Sequence, residues 1–401
     1  MEKKVPVLFQ DDSQCCGCGA CLNACPARAI VMREDEYGFT YPVIDEKLCT
    51  GCGRCKRVCA FQNREETNIP KAVYAAAAGN HDIRKKSASG GVFAVLAQRT
   101  IEKGGAVCGA AFDGEWNVRH VFITKKDEIE RLQGSKYTQS SIDRTYEEAA
   151  GFLKAGKEVL YSGTPCQIAG LYGYLGKDYE NLLTVDIICH GVPANRMLKE
   201  YIRLIEKKRG GKVTHFTFRD KKLGWGINGS ALVQKDGTYR RIKLWQSASS
   251  YLSYFSKGWI YRKNCYQCRY AGMNRPADLT LGDYWGIEKV HPEYLGKGRF
   301  NEAEGLSVVI ANTQKGQYAL SEIGDAAEMK VSTFENAAKY NAQLNRPSEE
   351  GCREELMRLW RDGGWNSVDE RFRKKTGWRI YSSYIKSRIP APVKRIMKKI
   401  R

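Results

Sequence analysis

No stretch of the 401 residues approaches the ~18 consecutive apolar residues that a membrane-spanning helix requires. The amino terminus, Met1-Glu2-Lys3-Lys4 followed by Val5-Pro6-Val7-Leu8-Phe9 and then acids, also lacks the apolar run of a signal peptide. A cytoplasmic location is therefore expected. No motif interleaves basic and aromatic positions as a nucleic-acid surface does, so nucleic acid is not an expected partner despite a formal charge of +20. That charge is unevenly spread. Arg353 to Arg401 carry fifteen Lys/Arg against five Asp/Glu, a net of +10 and half of the excess. At 401 residues and 42% hydrophobic content, the chain is ordinary for two or three globular domains.

Cysteine, by contrast, is abundant. Fifteen of them without an export signal indicate a reducing compartment, where they are ligands or free thiols rather than disulfides. Nine fall between residues 15 and 59. There Cys15-x-x-Cys18-x-x-Cys21-x-x-x-Cys25-Pro26 is followed by Cys49-x-x-Cys52-x-x-Cys55-x-x-x-Cys59, each the bacterial ferredoxin spacing for a [4Fe–4S] cluster. Three closely spaced thiolates hold one cube and the fourth reaches the other. Cys15, Cys18, Cys21 and Cys59 are thus assigned to one cluster, and Cys49, Cys52, Cys55 and Cys25 to its neighbour. Soft thiolates also select zinc, but paired zinc motifs do not take this doubled three-plus-one form. Ala60 stands where the pattern has a second proline, and Cys16 is left over as a bystander.

Residues 1–66 read as a dicluster domain with short strands at Ile30-Val31-Met32 and Tyr41–Ile44, and the polar stretch ending at Pro70 as a linker. Beyond it, the pattern alternates. Strands are expected at Ala72–Ala78, Ala106–Phe112, Glu158–Ser162 and Leu182–Cys189, with helices at Val92–Lys103, Ser141–Leu153, Gln167–Leu175 and Asn195–Lys208. This β-α-β texture favours a mainly parallel sheet with ligands at the carboxyl ends of its strands.

Two turns could hold a phosphate-bearing cofactor. Ser87-Ala88-Ser89-Gly90-Gly91 enters a helix N-terminus after basic residues, although it reads equally as a glycine-rich helix cap. Gly134-Ser135-Lys136-Tyr137-Thr138-Gln139-Ser140 offers hydroxyls, an amide, a cation and a ring, or is an ordinary polar loop. Cys166 and Cys189 fall at strand ends, and Cys265-x-x-Cys268 follows later. Together they are enough for a third [4Fe–4S] cluster or a closed zinc site. His190 and Lys136 are weak signals for a proton donor. At the carboxyl terminus, Val393, Ile396, Met397 and Ile400 share one helical face against a basic one. That suits an anionic membrane surface or an acidic partner.

In order, the dicluster segment, Ser87-Ala88-Ser89-Gly90-Gly91, Gly134-Ser135-Lys136-Tyr137, Gly163-Thr164-Pro165-Cys166-Gln167, Cys189-His190-Gly191-Val192-Pro193, Cys265-x-x-Cys268 and Gly282-Asp283-Tyr284-Trp285-Gly286 resemble the coenzyme F420 hydrogenase/dehydrogenase beta-subunit family. The resemblance implies an iron–sulfur flavoprotein oxidoreductase that passes electrons between a ferredoxin-like donor and a small-molecule acceptor through FAD. Relatives with this domain order often accompany surface-polysaccharide genes. By motif, Cys166, Cys189, Cys265 and Cys268 become ligands of a third cluster. Ser87, Ser89, Gly90, Gly91, Gly134, Ser135, Lys136, Tyr137, Gln139 and Ser140 become FAD contacts. The rival reading is a non-catalytic electron-transfer subunit of a larger redox complex.

The expected fold is multidomain, α+β and α/β. A ferredoxin-like domain (1–66) precedes a mixed, mainly parallel α/β flavin and iron–sulfur domain whose family regions span 71–154 and 155–345. A basic helical tail (346–401) ends it and could place the protein peripherally at the inner face of the membrane.

Overall fold

The two cysteine runs share one local design. In each, glycines with positive φ alternate with the cysteines, Gly17 and Gly19 in the first and Gly51 and Gly53 in the second, with φ between 69° and 74°. Only glycine takes that conformation without strain, and it curls each loop tightly enough to turn successive thiols inward. Short helices Ala20–Ala24 and Arg54–Arg57 follow. Between them β1 (Ile30–Glu34) and β2 (Thr40–Ile44) form a hairpin. Its turn is fixed by the Asp35 carboxylate, which accepts the backbone N–H groups of Tyr37 (2.9 Å) and Phe39 (2.8 Å).

A computed structural model describes residues 4–63, 67–296 and 298–377. In its larger part, β3 (Ala72–Ala78), β4 (Ala106–Phe112), β5 (Val118–Ile123), β6 (Val159–Gly163) and β7 (Leu182–Ile187) belong to one eight-stranded sheet. Three further strands, β8 (Lys212–Thr217), β9 (Gly229–Lys235) and β10 (Thr238–Leu244), make a separate antiparallel sheet. The large sheet is completed by β11 (Leu279–Asp283), β12 (Ser307–Ala311) and β13 (Ala327–Ser332), in the order β13-β3-β12-β11-β7-β6-β4-β5. Its centre is parallel: β11, β7, β6 and β4 run the same way, and the strands outside them pair antiparallel. The central strands are mostly buried on both faces, as parallel sheets are, but they carry buried polar groups, Thr184 and Asp186 on β7 and Thr280 on β11. Their carboxyl ends all open on one edge.

The strand expected to reach Cys189 ends at Ile187, so Cys189 stands on the loop beyond it. The expected helix from Ser141 begins at Thr145. The linker is pinned, because Asn68 and Arg275 exchange backbone hydrogen bonds of 2.8 and 3.1 Å.

The ferredoxin-like domain is docked rather than tethered. Tyr146 Oη donates to the Cys18 carbonyl (2.8 Å), Asn23 Nδ2 to the Asp143 carbonyl (2.8 Å) and Arg144 to the Leu22 carbonyl (2.8 Å). Phe39 and Tyr41 join an aromatic core made by β8–β10 and the helices Asn195–Arg209, Ser250–Ser256 and Arg353–Thr376. That last helix belongs to the segment expected as a tail, yet it buries Trp360 and Trp365 and turns sharply at Gly364 (φ 63°). The apolar face expected at Val393, Ile396, Met397 and Ile400 lies outside the described residues. Among the described residues no helix is long and apolar enough to cross a membrane.

Candidate electron-transfer and cofactor site

The cysteines gather in three groups. Cys25, Cys49, Cys52 and Cys55 line one small cavity of the ferredoxin-like domain, and Cys15, Cys18, Cys21 and Cys59, with Cys55, line the next. The fourth cysteine of each run thus stands with the other run. Backbone N–H groups already point at sulfur, from Ala29 to Cys25 (3.3 Å) and from Gly51 to Cys49 (3.4 Å), as donors do around thiolate-ligated iron. Cys52 is exposed, and Arg54, Lys56 and Arg57 are exposed around it.

The third group comes from distant parts of the chain. Cys166 opens the helix Pro165–Leu175, Cys189 follows β7, and Cys265 and Cys268 flank the end of the turn Lys263–Gln267. Burial pushes the Cys189 thiol well up, and the charges of Cys265, Cys166 and Cys268 push it further. Cys265 is pushed up to about 12 and Cys268 to about 11, in both cases chiefly by burial. These cysteines are therefore neutral thiols at pH 7, and a metal bound among them would displace their protons. Among the described residues no group of three or more His, Cys, Asp or Glu closes on a single-ion position. Four thiols gathered at this position suit a cube or a closed zinc site alike.

Cys16, expected to be a bystander, is placed between groups. It is buried, lines the cavity of the Cys15 group, and its thiol lies within hydrogen-bonding reach of both Cys18 and Cys166. Nothing in its spacing signals this, because Cys166 reaches it only through the docking of two domains.

A cavity of about 260 Å³ opens at the carboxyl edge of the parallel strands, just under the ~300–1,000 Å³ usual for small-molecule sites. Cys16, Cys166 and Cys189 form part of its wall. Of the ten residues expected to contact a cofactor, all but Gly90 line it: Ser87, Ser89, Gly91, Gly134, Ser135, Lys136, Tyr137, Gln139 and Ser140. Several are already engaged. Ser87 Oγ accepts from Gln133 Nε2 (2.8 Å), Ser89 Oγ pairs with Ser307 Oγ (2.9 Å), and Ser140 Oγ pairs with His120 Nδ1 (3.0 Å). Gln139 joins the domains, its Nε2 donating to the Cys16 carbonyl at 3.3 Å. The helix Val92–Glu102 begins at the cavity after Gly91 with no side-chain cap, leaving its first N–H groups free for an anion.

One residue that motif reading did not single out ties these turns together. Arg219 makes a two-pronged bond to Asp283 (2.7 and 2.9 Å), donates to Tyr137 Oη (3.1 Å) and to the Ala88 carbonyl (3.1 Å), and lies over the Trp285 ring. Burial sets the charges around the cavity. It lowers Lys136 to about 7 and both His120 and His190 to about 4, so the two imidazoles are neutral at pH 7. Lys136 Nζ donates to the carbonyls of Arg131 (3.0 Å) and Gln133 (2.8 Å), which fixes its turn. It gains its charge as pH falls through about 7.

Gly90 has a packing role instead. A Cβ there would lie 2.3 Å from the Ala76 carbonyl oxygen and 2.9 Å from the Ser307 nitrogen, both rigid backbone. Gly90→Ala is expected to destabilise the fold by about 1–3 kcal/mol, the usual range for forced overpacking. A thermal melt equal to that of the parent protein would contradict it.

Three family descriptions match the chain. The amino-terminal part of the coenzyme F420 hydrogenase/dehydrogenase beta-subunit family matches residues 73–145, and the carboxyl-terminal part of the same family matches 156–337. A 4Fe-4S dicluster domain matches 14–63. One subunit of the F(420)H(2) dehydrogenase of Methanosarcina mazei is 28% identical over 181 residues, 42% of this chain and 50% of that relative. The match thus spans about half the length of that relative. A chain in a structure of the F420-reducing [NiFe] hydrogenase complex from Methanosarcina barkeri aligns over 74% of this chain and 94% of its own, with 18% identity and a TM-score of 0.45.

Proposed function

The chain belongs to the coenzyme F420 hydrogenase/dehydrogenase beta-subunit family, an oxidoreductase family, and carries an N-terminal [4Fe–4S] dicluster domain; from that membership we propose that it is the iron–sulfur electron-transfer subunit of a redox complex. The Methanosarcina mazei relative is itself one subunit of an F(420)H(2) dehydrogenase. The observation that carries the reading is the sharing of residues between neighbouring sites. Cys16 belongs to the wall of the Cys15 group and to that of the cavity, and Cys166 and Cys189 belong to the cavity and to the third group. The three cysteine groups and the cavity are therefore neighbours, and the Cys49 group presents the exposed Cys52 to solvent. That group is rimmed by Arg54, Lys56 and Arg57, a charge suited to an acidic redox protein such as a ferredoxin.

FAD is the cofactor we propose for the cavity. The uncapped helix N-terminus after Gly91 and the Lys136 cation suit a pyrophosphate, and Leu132, Ile188, Phe255 and Trp285 offer apolar faces for a ring. A flavin supplies the exchange between single electrons and electron pairs. The residues around it bind and orient: Arg219 holds the three turns in register, and the neutral His120 and His190 add no competing charge. A second reading, a self-contained flavoenzyme reducing a small acceptor by itself, is favoured by the same cavity standing directly against the third cysteine group.

Anaerobic purification of the full chain, with iron and flavin measured on one sample, tests these readings. About twelve irons per chain are expected from three cubes, reducible by a low-potential donor. Bound flavin that turns over an added deazaflavin acceptor would make the chain self-contained, and failure to do so without added subunits supports the subunit reading. Clusters that no donor can reduce would overturn electron transfer altogether.

A further inference from the structure

Five of the described arginines are buried: Arg84, Arg219, Arg262, Arg275 and Arg371. Four pair with a carboxylate, respectively Glu304, Asp283, Asp186 and Glu355 for Arg84, Arg219, Arg275 and Arg371. Arg262 is the exception. It is fully buried (0% exposed), and among the described residues no carboxylate lies within 4.0 Å of it. Its Nε donates to the Cys15 carbonyl (2.8 Å), and its Nη1 donates to the Thr40 carbonyl (3.0 Å) and to Gln139 Oε1 (3.1 Å). The guanidinium lies 3.9 Å over the Tyr41 ring, and Nη2 has no hydrogen-bond partner.

A guanidinium does not shed its proton, and an uncompensated buried ion costs several kcal/mol. Carbonyls and a ring face soften that cost without cancelling the charge, and the Asp35 carboxylate, although Arg262 acts on it, stands beyond ion-pair distance. Its position identifies what does. Arg262 Nε reaches the backbone of Cys15, and Cys265 lies three residues along its own chain, its N–H donating to the Arg262 carbonyl (2.9 Å). Cys15, Cys16 and Cys265 are among the groups whose charges act on it. Gly17 is shaped to admit it, since a Cβ there would stand 3.1 Å from Nη1. The cation therefore sits at the seam where the ferredoxin-like domain meets the turn carrying Cys265.

We propose that Arg262 is a fixed countercharge shared by the two cysteine groups it stands beside, Cys15-Cys18-Cys21-Cys59 and Cys166-Cys189-Cys265-Cys268, and that it raises the reduction potential of the cluster in each. The inference rests on the reading that both groups hold [4Fe–4S]. Adding one electron to either cluster places one more negative charge beside the cation, so the reduced form is favoured at both. Cys25, Cys49, Cys52 and Cys55 make none of these contacts. Arg262 is accordingly a positioning and electrostatic residue that touches no substrate.

The test is a redox titration followed by electron paramagnetic resonance on the anaerobic full-length protein, its R262Q variant and its R262K variant. In R262Q two of three midpoints are expected to fall, each by about tenfold in the reduction equilibrium, which for a one-electron couple is about 59 mV. The third midpoint stays, and R262K restores the other two. All three unmoved, or all three displaced together, overturns the proposal. If R262Q does not retain iron, R262K decides. Wild-type iron and potentials in R262K support the charge, and any loss in it overturns the proposal. Iron analysis keeps the underlying reading separate. About eight irons in the parent protein would remove the third cluster, and Arg262 would then be judged by whether one of two midpoints moves alone.

Discussion

Replacing Cys189 and Cys265 together with alanine is expected to lower iron from about twelve to about eight per chain, one cube out of three, and to stop electrons given to the ferredoxin-like domain from reaching an acceptor at the strand edge. The two residues enter the third group from separate segments, one after β7 and one on the turn Lys263–Gln267, so removing both leaves a cube only two thiolates. Cys189 also forms part of the cavity wall. The effect should be confined. Cys352 belongs to none of the three groups, and Cys352→Ala is expected to retain all iron. The ferredoxin-like domain of the double variant should still be reduced by dithionite. Full iron content in the double variant would sink the assignment of the third group.

The second large effect lies behind that group. Arg275 and Asp186 form an ion pair with side chains 1% and 0% exposed. Arg275 Nη2 donates to Asp186 Oδ1 (2.8 Å) and to the Ile187 carbonyl (2.7 Å), and Nη1 to the Tyr270 carbonyl (2.7 Å). It thereby fastens the loop after Cys268 to the end of β7, just before Cys189. Arg275→Met leaves a buried carboxylate without its counter-ion and is expected to destabilise by about 3–5 kcal/mol, with loss of iron from the third group. Combining it with Asp186→Asn should recover much of the loss, because the orphaned charge is then removed.

The pH dependence of that loss has a definite sign. Burial pushes the Asp186 carboxyl up, opposed by the Arg275 guanidinium. The folded protein therefore keeps this proton to higher pH than the unfolded chain does. Its contribution to stability falls as pH rises from the ordinary carboxylate range through the raised value. Without Arg275 the carboxyl rises further, so the Arg275→Met penalty should be smaller at pH 5 than at pH 8. Thermal midpoints and iron retention at the two pH values check this, and a penalty that grows toward acid would refute it.

Legibility followed sequence distance. The two ferredoxin groups could be read because every ligand, and the glycines that turn the loops around it, lie within one short segment, where spacing alone constrains geometry. The cavity was partly legible for the same reason, since turns at strand ends fall on one edge of a parallel sheet. Even so, sequence could not separate Gly90, which packs against the Ala76 carbonyl, from Ser87, Ser89 and Gly91, which face the cavity. Nor did the basic composition after residue 346 reveal that Trp360 and Trp365 bury their helix in the core, because a net charge averages over both faces of a helix.

By itself, then, the sequence determined the cysteine spacing, the β-α-β order and the family. These are local or sequential properties, carried by residues close together or by the order of elements. Tertiary structure decided what depends on distant residues meeting. It set Cys16 against Cys166, brought Arg219 across three turns, and left Arg262 as the one buried arginine among the described residues with no carboxylate within 4.0 Å. The physical reason is electrostatic. Whether a buried charge is paired depends on every group that packs around it, and that inventory exists only once the two domains are docked.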